Sequence, residues 1–165
     1  MQFKKLAVTA LFASGALLMG HSASAVKLDN SFNVKLAINS LCTIETVDDV
    51  DFGQVDSSTG TQTKSTQLKI KCNDEKPYKV ALKPSDNNPA GQGKMASPDT
   101  VDTIVYNLYQ DAAGAVPWGS TGTNEVSQTG TGSVQTLPVY VKVNGSEFNK
   151  PAGHYNDVVA VSINY

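Results

Sequence analysis

The chain has 165 residues, with 13 lysines and no arginine against 15 acidic side chains, and only two histidines. A slightly acidic sequence without arginine has no basic patch or fork to grip a phosphate backbone, which sets nucleic-acid binding aside. Its length suits one domain behind a short leader.

Residues 1–25 read as a secretory signal. Lys4 and Lys5 form the basic start, residues 6–20 an apolar run, and Ala23-Ser24-Ala25 a small-residue cleavage site. The apolar run is short for a membrane anchor. An exported, soluble mature chain is therefore expected, beginning at Val26 and carrying a net charge near −4 once Lys4 and Lys5 are gone. In an oxidising compartment Cys42 and Cys72 are expected to form one structural disulfide, contributing roughly 3–4 kcal/mol by loop closure. Two cysteines at that spacing make no zinc signature.

The mature chain opens on residues 26–38, VKLDNSFNVKLAI. Val26, Leu28, Phe32, Val34, Leu36 and Ile38 share one parity, Asn30 alone interrupting them, while Lys27, Asp29, Ser31, Asn33, Lys35 and Ala37 take the other. Successive strand side chains point to opposite faces, so this pattern predicts a strand with one apolar face. At roughly 3.3 Å per residue it would run about 43 Å, well beyond the usual strand of about five or six residues. Two readings stand: a long first strand, or a segment whose first half leaves its own domain to complete a neighbour.

Residues 42–47 and 50–52 read as short strands. Asp48, Asp49 and Asp51 between and beside them read as a solvated turn, since no glycine-centred calcium loop is present. Residues 56–67 are almost all Ser, Thr, Gly and Gln, which predicts a loop. Leu68, Ile70 and Cys72 alternate with Lys69 and Lys71, and Tyr78, Val80 and Leu82 alternate after the turn at 73–77, so the two runs predict a hairpin. Residues 84–98, rich in Pro, Gly and Asn, read as a long surface connection.

Residues 103–110 form the most β-prone run. Residues 119–132 read as a second loop, and residues 134–143 as a strand in which Pro138 requires an edge, a bulge or a switch between sheets. Asn144-Gly145 is the strongest hairpin-turn dipeptide and also opens a glycosylation sequon. The last residues place Val159, Val161, Ile163 and Tyr165 on one face. No helical periodicity of useful length follows the leader. About eight short strands and one disulfide predict an antiparallel β-sandwich.

Chemistry is sparse. The mature chain keeps one histidine, His154, and no nucleophile elbow, so neither an enzyme nor a metal or cofactor site is expected. Trp118 with Tyr106, Tyr109, Tyr140 and Tyr155 offers either an aromatic platform for a sugar or an ordinary sandwich core, and the core is the expected role.

Taken in order, a set of motifs resembles the spore coat protein U domain family, which includes pilins of archaic, Csu-type chaperone–usher pili. They are Phe32-x-Val34, Cys42-Thr43-Ile44, Asp51-Phe52-Gly53, Cys72 with Pro77-Tyr78-x-Val80, Tyr106-x-Leu108-Tyr109-x-Asp111, Trp118-Gly119, Pro138-Val139-Tyr140 and Pro151-x-Gly153-x-Tyr155-x-Asp157-x-Val159-x-Val161. Lys142 stands where the family places arginine, and Glu75-Lys76 replaces a glycine. The resemblance implies an immunoglobulin-like sandwich lacking its last strand. It further implies export through the periplasm to the surface of a Gram-negative cell, with a pilus chaperone, an outer-membrane usher and neighbouring pilins as partners.

On that implication residues 26–33 form a donor segment (Val26, Leu28 and Phe32, continuing into Val34), and residues 34–165 form the domain. Leu36 and Ile38 line one wall of the acceptor groove, and Val159, Val161, Ile163 and Tyr165 the other. The function implied is a pilus subunit polymerised by donor-strand exchange for adhesion and biofilm formation. A surface-binding adhesin and a self-complemented coat protein are the alternatives.

Overall fold

The computed structural model describes residues 27–165, so the signal segment and Val26 lie outside the described residues. The chain divides into two units, Met1–Ala37 and Ile38–Tyr165. In the described part of the first, the expected strand is not formed. Residues 27–40 belong to no strand, because no backbone ladder partner stands beside them among the described residues. An extended run becomes a strand only when a neighbour takes its N–H and C=O groups.

The second unit is a sandwich of eight strands: β1 Cys42–Val47, β2 Gln62–Cys72, β3 Pro77–Pro84, β4 Gln92–Ala96, β5 Thr103–Tyr109, β6 Val126–Thr129, β7 Val134–Val143 and β8 Val159–Asn164. Five form one antiparallel sheet in the order β1-β2-β7-β5-β4, and three form the other in the order β6-β3-β8. The cause of each is period-two patterning. Leu68, Ile70 and Cys72 of β2, Ile104, Tyr106 and Leu108 of β5, and Val139, Val141 and Val143 of β7 turn inward from one sheet. Tyr78, Val80 and Leu82 of β3 meet them from the other, with Trp118 and Phe148 between. Trp118, only 1% exposed, donates its indole N–H to the Val80 carbonyl at 3.0 Å. Its place and that of Tyr106 are core.

Several local expectations fail for one reason: composition does not report pairing. Gln62 to Gln67 extend β2 rather than forming a loop, each paired across to β7, from Gln62 opposite Val143 to Gln67 opposite Pro138. The expected surface connection contains β4, the second expected loop contains β6, and residues 50–52 form no strand. The expected hairpin of β2 and β3 is an arch between the two sheets. Its turn is fixed by the Glu75 N–H on the Gly130 carbonyl at 2.9 Å and the Gly130 N–H on the Lys76 carbonyl at 2.7 Å.

Asn144-Gly145 makes no hairpin either. Residues Gly145–Phe148 form a 3-10 turn that starts the crossover towards β8. Gly145 is needed there for close approach, since a Cβ would press on the backbone of Thr59, Gly60 and Thr61. Pro138 satisfies the edge expectation locally. The β5 ladder on β7 ends at Tyr140, so on that side Pro138 faces no strand.

Candidate functional site: an open sheet edge

Exposed strand edges template further strands, and stable folds blunt them with charge, proline, bulges or brevity. Three of the four sandwich edges are blunted in this way. β1 slips register between Ile44 and Thr46 around the acidic Glu45. β4 is five residues long, and Ala96 at its end exchanges two backbone bonds with Asn156, at 2.8 and 2.9 Å. β6 has four residues, with Ser127, Gln128 and Thr129 exposed.

The fourth edge, β8, has none of these features. VAVSIN pairs with β3 in unbroken register, from Val159 opposite Pro84 to Asn164 opposite Lys79, and contains no charge, proline or bulge. Its other side has no ladder partner among the described residues.

The side chains of β8 tell the same story. Val159, Val161 and Ile163 pack against the core yet remain half-buried, while Ala160, Ser162 and Asn164 are exposed. These three apolar residues fall where the sequence places them. Tyr165 lies just past the strand, half-exposed, with the Lys76 ammonium 6.0 Å from its ring centre.

Two further apolar residues, missed by sequence reasoning, are also left uncovered. Ile44 and Val47 of β1 pair with Ile70 and Leu68. Cross-strand partners share a face, so both point inward with two of the most deeply buried residues of the chain. They nevertheless stay 39% and 47% exposed. Three strands cannot cover five, and the direction of the shortfall is readable. The Leu82 N–H donates not to β8 but to the Gly119 carbonyl at 2.9 Å. Gly119 in turn lies against Pro89, Ala90 and Gly91, which lead into β4. The β6 side of the smaller sheet is thus tied to the β4 side of the larger. The β8 edge of the smaller sheet is left without a ladder partner. Nothing in CTIETV distinguishes Ile44 and Val47 from ordinary core residues.

The remaining expected residues divide in two. Cys42 and Cys72 are bonded at 2.06 Å and face each other in the β1–β2 ladder. Leu28, Phe32, Val34, Leu36 and Ile38 are each more than four-fifths exposed. Leu36 and Ile38, expected in a groove wall, stand in no strand. Around Leu28, Lys27 and Asp29 pair at 2.8 Å and Asn30 Oδ1 accepts the Ser31 N–H.

Among the described residues, no group of three or more His, Cys, Asp or Glu stands close enough to hold a metal ion. A shallow cleft of about 820 Å³ lies between the ends of β3, β6 and β8.

The comparisons with known proteins bear on the fold and the family. A CsuC–CsuE chaperone–tip adhesion subunit pre-assembly complex, from the archaic chaperone-usher Csu pili of Acinetobacter baumannii, is similar at 23% identity and a TM-score of 0.55. The match covers 78% of this chain and 40% of that one. A chaperone–tip adhesin complex described for CFA/I fimbriae biogenesis matches at 14% identity and a TM-score of 0.39, over 69% of this chain and 38% of that one. The chain thus spans about two fifths of the length of the solved chains it matches. No curated protein matches it. The Spore Coat Protein U domain model matches residues 28–162, a span that takes in the exposed apolar run from Leu28, the disulfide and the first four residues of the open strand. On that match the chain belongs to the Spore Coat Protein U domain family.

Proposed function

We propose that the chain is a structural pilus subunit, exported by the chaperone–usher route and polymerised by donor-strand exchange. Residues 28–36 of one copy add a strand to the free edge of β8 in the next. The observation that carries this reading is a complementary pair within one sequence. One member is an apolar, unblunted edge lacking its neighbour, and the other is an alternating apolar segment lacking a ladder.

The physics is strand addition. Main-chain hydrogen bonds give generic affinity, and alternate side chains seated in the uncovered region fix the register. β8 is six residues long, so a donor of about the same length spans it, at roughly 3.3 Å per residue. Seating Leu28, Phe32, Val34 and Leu36 over Val161, Ile163, Ile44 and Val47 yields roughly 1.5–3 kcal/mol per side chain before ordering costs. A subunit with this edge open is an aggregation hazard, and a periplasmic chaperone that covers it until the outer-membrane usher exchanges it for the next donor answers that hazard. The partners are then a chaperone, an usher and other pilins, the product is a surface fibre, and attachment and biofilm formation are its uses. The reading assigns the chain no catalytic role.

Unheated detergent gels of material sheared from the cell surface test this. The intact chain should give a ladder of multimers that collapses on boiling, and a chain lacking residues 28–36 should give none. A monomer band from both would refute polymerisation and favour a self-complemented coat protein or an adhesin.

A further inference from the structure

The open strand β8 has one neighbour, and that neighbour is weakest where β8 begins. Val159 is paired with Pro84, a residue with no N–H to give to a ladder. A strand held on one side, with its first pairing short of a donor, is expected to fray from that end. Yet Asn156 and Asp157, three and two residues ahead of β8, are both tied into the sandwich. Asn156 exchanges both of its backbone groups with Ala96 of β4. The Asp157 carboxylate receives three donors: the Tyr106 hydroxyl on Oδ2 at 2.6 Å, and on Oδ1 the Ser85 hydroxyl and the N–H of Val158 at 2.8 Å. Tyr106 belongs to the five-stranded sheet and is buried, whereas Ser85 directly follows β3 of the smaller sheet. One carboxylate therefore joins both layers of the sandwich two residues ahead of the acceptor strand.

We propose that Asp157 is a positioning residue for strand addition: clamped between Tyr106 and Ser85, it holds the start of β8 in place while its outer edge is empty, so that an incoming strand meets a preformed template.

The clamp matters before addition and little after it. Once a donor lies along β8, the strand has ladders on both sides and its start no longer depends on one side chain. Loosening the clamp should therefore slow joining without weakening the finished joint. A merely structural role would lower both together. Hydrogen bonds to an ionised carboxylate are among the stronger kind, and losing one is expected to slow joining about tenfold, the factor carried by about 1.4 kcal/mol.

The inference rests on the donor-strand reading, and its test separates the two. Full-length chains are compared as wild type, Tyr106→Phe, Ser85→Ala and Ser85→Thr. Tyr106→Phe keeps the ring in the core and removes only the hydroxyl, and Ser85→Thr keeps the donor. The rate at which heat-labile multimers accumulate is measured first, followed by the temperature at which finished multimers dissociate. The expected result is slower accumulation for Tyr106→Phe and Ser85→Ala, near-normal accumulation for Ser85→Thr, and one dissociation temperature for all. Equal rates in all four, or rate and dissociation temperature falling in parallel, would overturn the positioning role. Absence of multimers from the wild type would instead overturn the donor-strand reading itself.

Discussion

Phe32 gives the sharpest separation between holding a fold and holding a polymer. Its side chain is 87% exposed in the single chain, so truncation to alanine removes almost nothing from the monomer, and a change within about ±0.5 kcal/mol is expected there. In the joined state the same ring is the largest apolar group offered to the vacant strand position. Burying a phenyl side chain stabilises by up to about 3 kcal/mol, and the retained alanine methyl accounts for part of that, so Phe32→Ala should cost about 2 kcal/mol per joint. That is about thirtyfold in the dissociation constant of each joint. The assay is a pair of urea titrations, one following tyrosine and tryptophan fluorescence of the monomer and the other following dissociation of the multimer. Leu82→Ala serves as the contrast, because Leu82 is buried at the centre of β3 and its truncation should cost the monomer about 2–5 kcal/mol. A Phe32→Ala chain with an unchanged multimer midpoint, or with a monomer destabilised like the Leu82 variant, would refute the reasoning.

Three further outcomes follow from the core. Replacing Cys42 and Cys72 together by serine opens a loop of sequence separation 30 and should lower monomer stability by roughly 3–4 kcal/mol, read as a drop in urea midpoint under oxidising conditions. Gly93→Ala should cost about 1–3 kcal/mol, because the new methyl overlaps the ring of Tyr106, which lies across Gly93 and is too buried to swing away. Alkaline titration should expose Tyr106. Burial, and next the hydrogen bond to and charge of Asp157, raise its phenol above the ordinary value of 10.0. The folded state thus favours the protonated form, and the contribution is fully present below about pH 10 and declines as pH rises above it. Tyr106→Phe should flatten that alkaline loss of stability, leaving the part due to Tyr78, whose phenol is also raised by burial.

What the sequence made legible follows from the kind of signal each element carries. β5, β7 and β8 are readable because their inward residues alternate without interruption, and the apolar row of β8, Val159, Val161 and Ile163, stands out from its spacing alone. The first half of β2 is not readable. QTKSTQ looks like a loop by composition and is a strand only because β7 lies beside it. β4 and β6 escape notice for the same reason, being short polar edges held by a neighbour rather than by their own propensity. The Asn144-Gly145 signal is local and true of a sharp bend, but a dipeptide does not say which sheet the chain enters next. The uncovered Ile44 and Val47 are hidden differently. Their type matches a core residue, and only the three-against-five strand count reveals that nothing covers them.

The central claim, that the free edge of β8 is completed by the opening segment of another copy, is tested most directly by amide hydrogen exchange on monomer and multimer. The account predicts that residues 28–36 and 159–164 exchange rapidly in the monomer and become protected together in the multimer, with β2 and β7 protected throughout. Multimers in which residues 28–36 still exchange freely, or a monomer in which β8 is already fully protected, would contradict it.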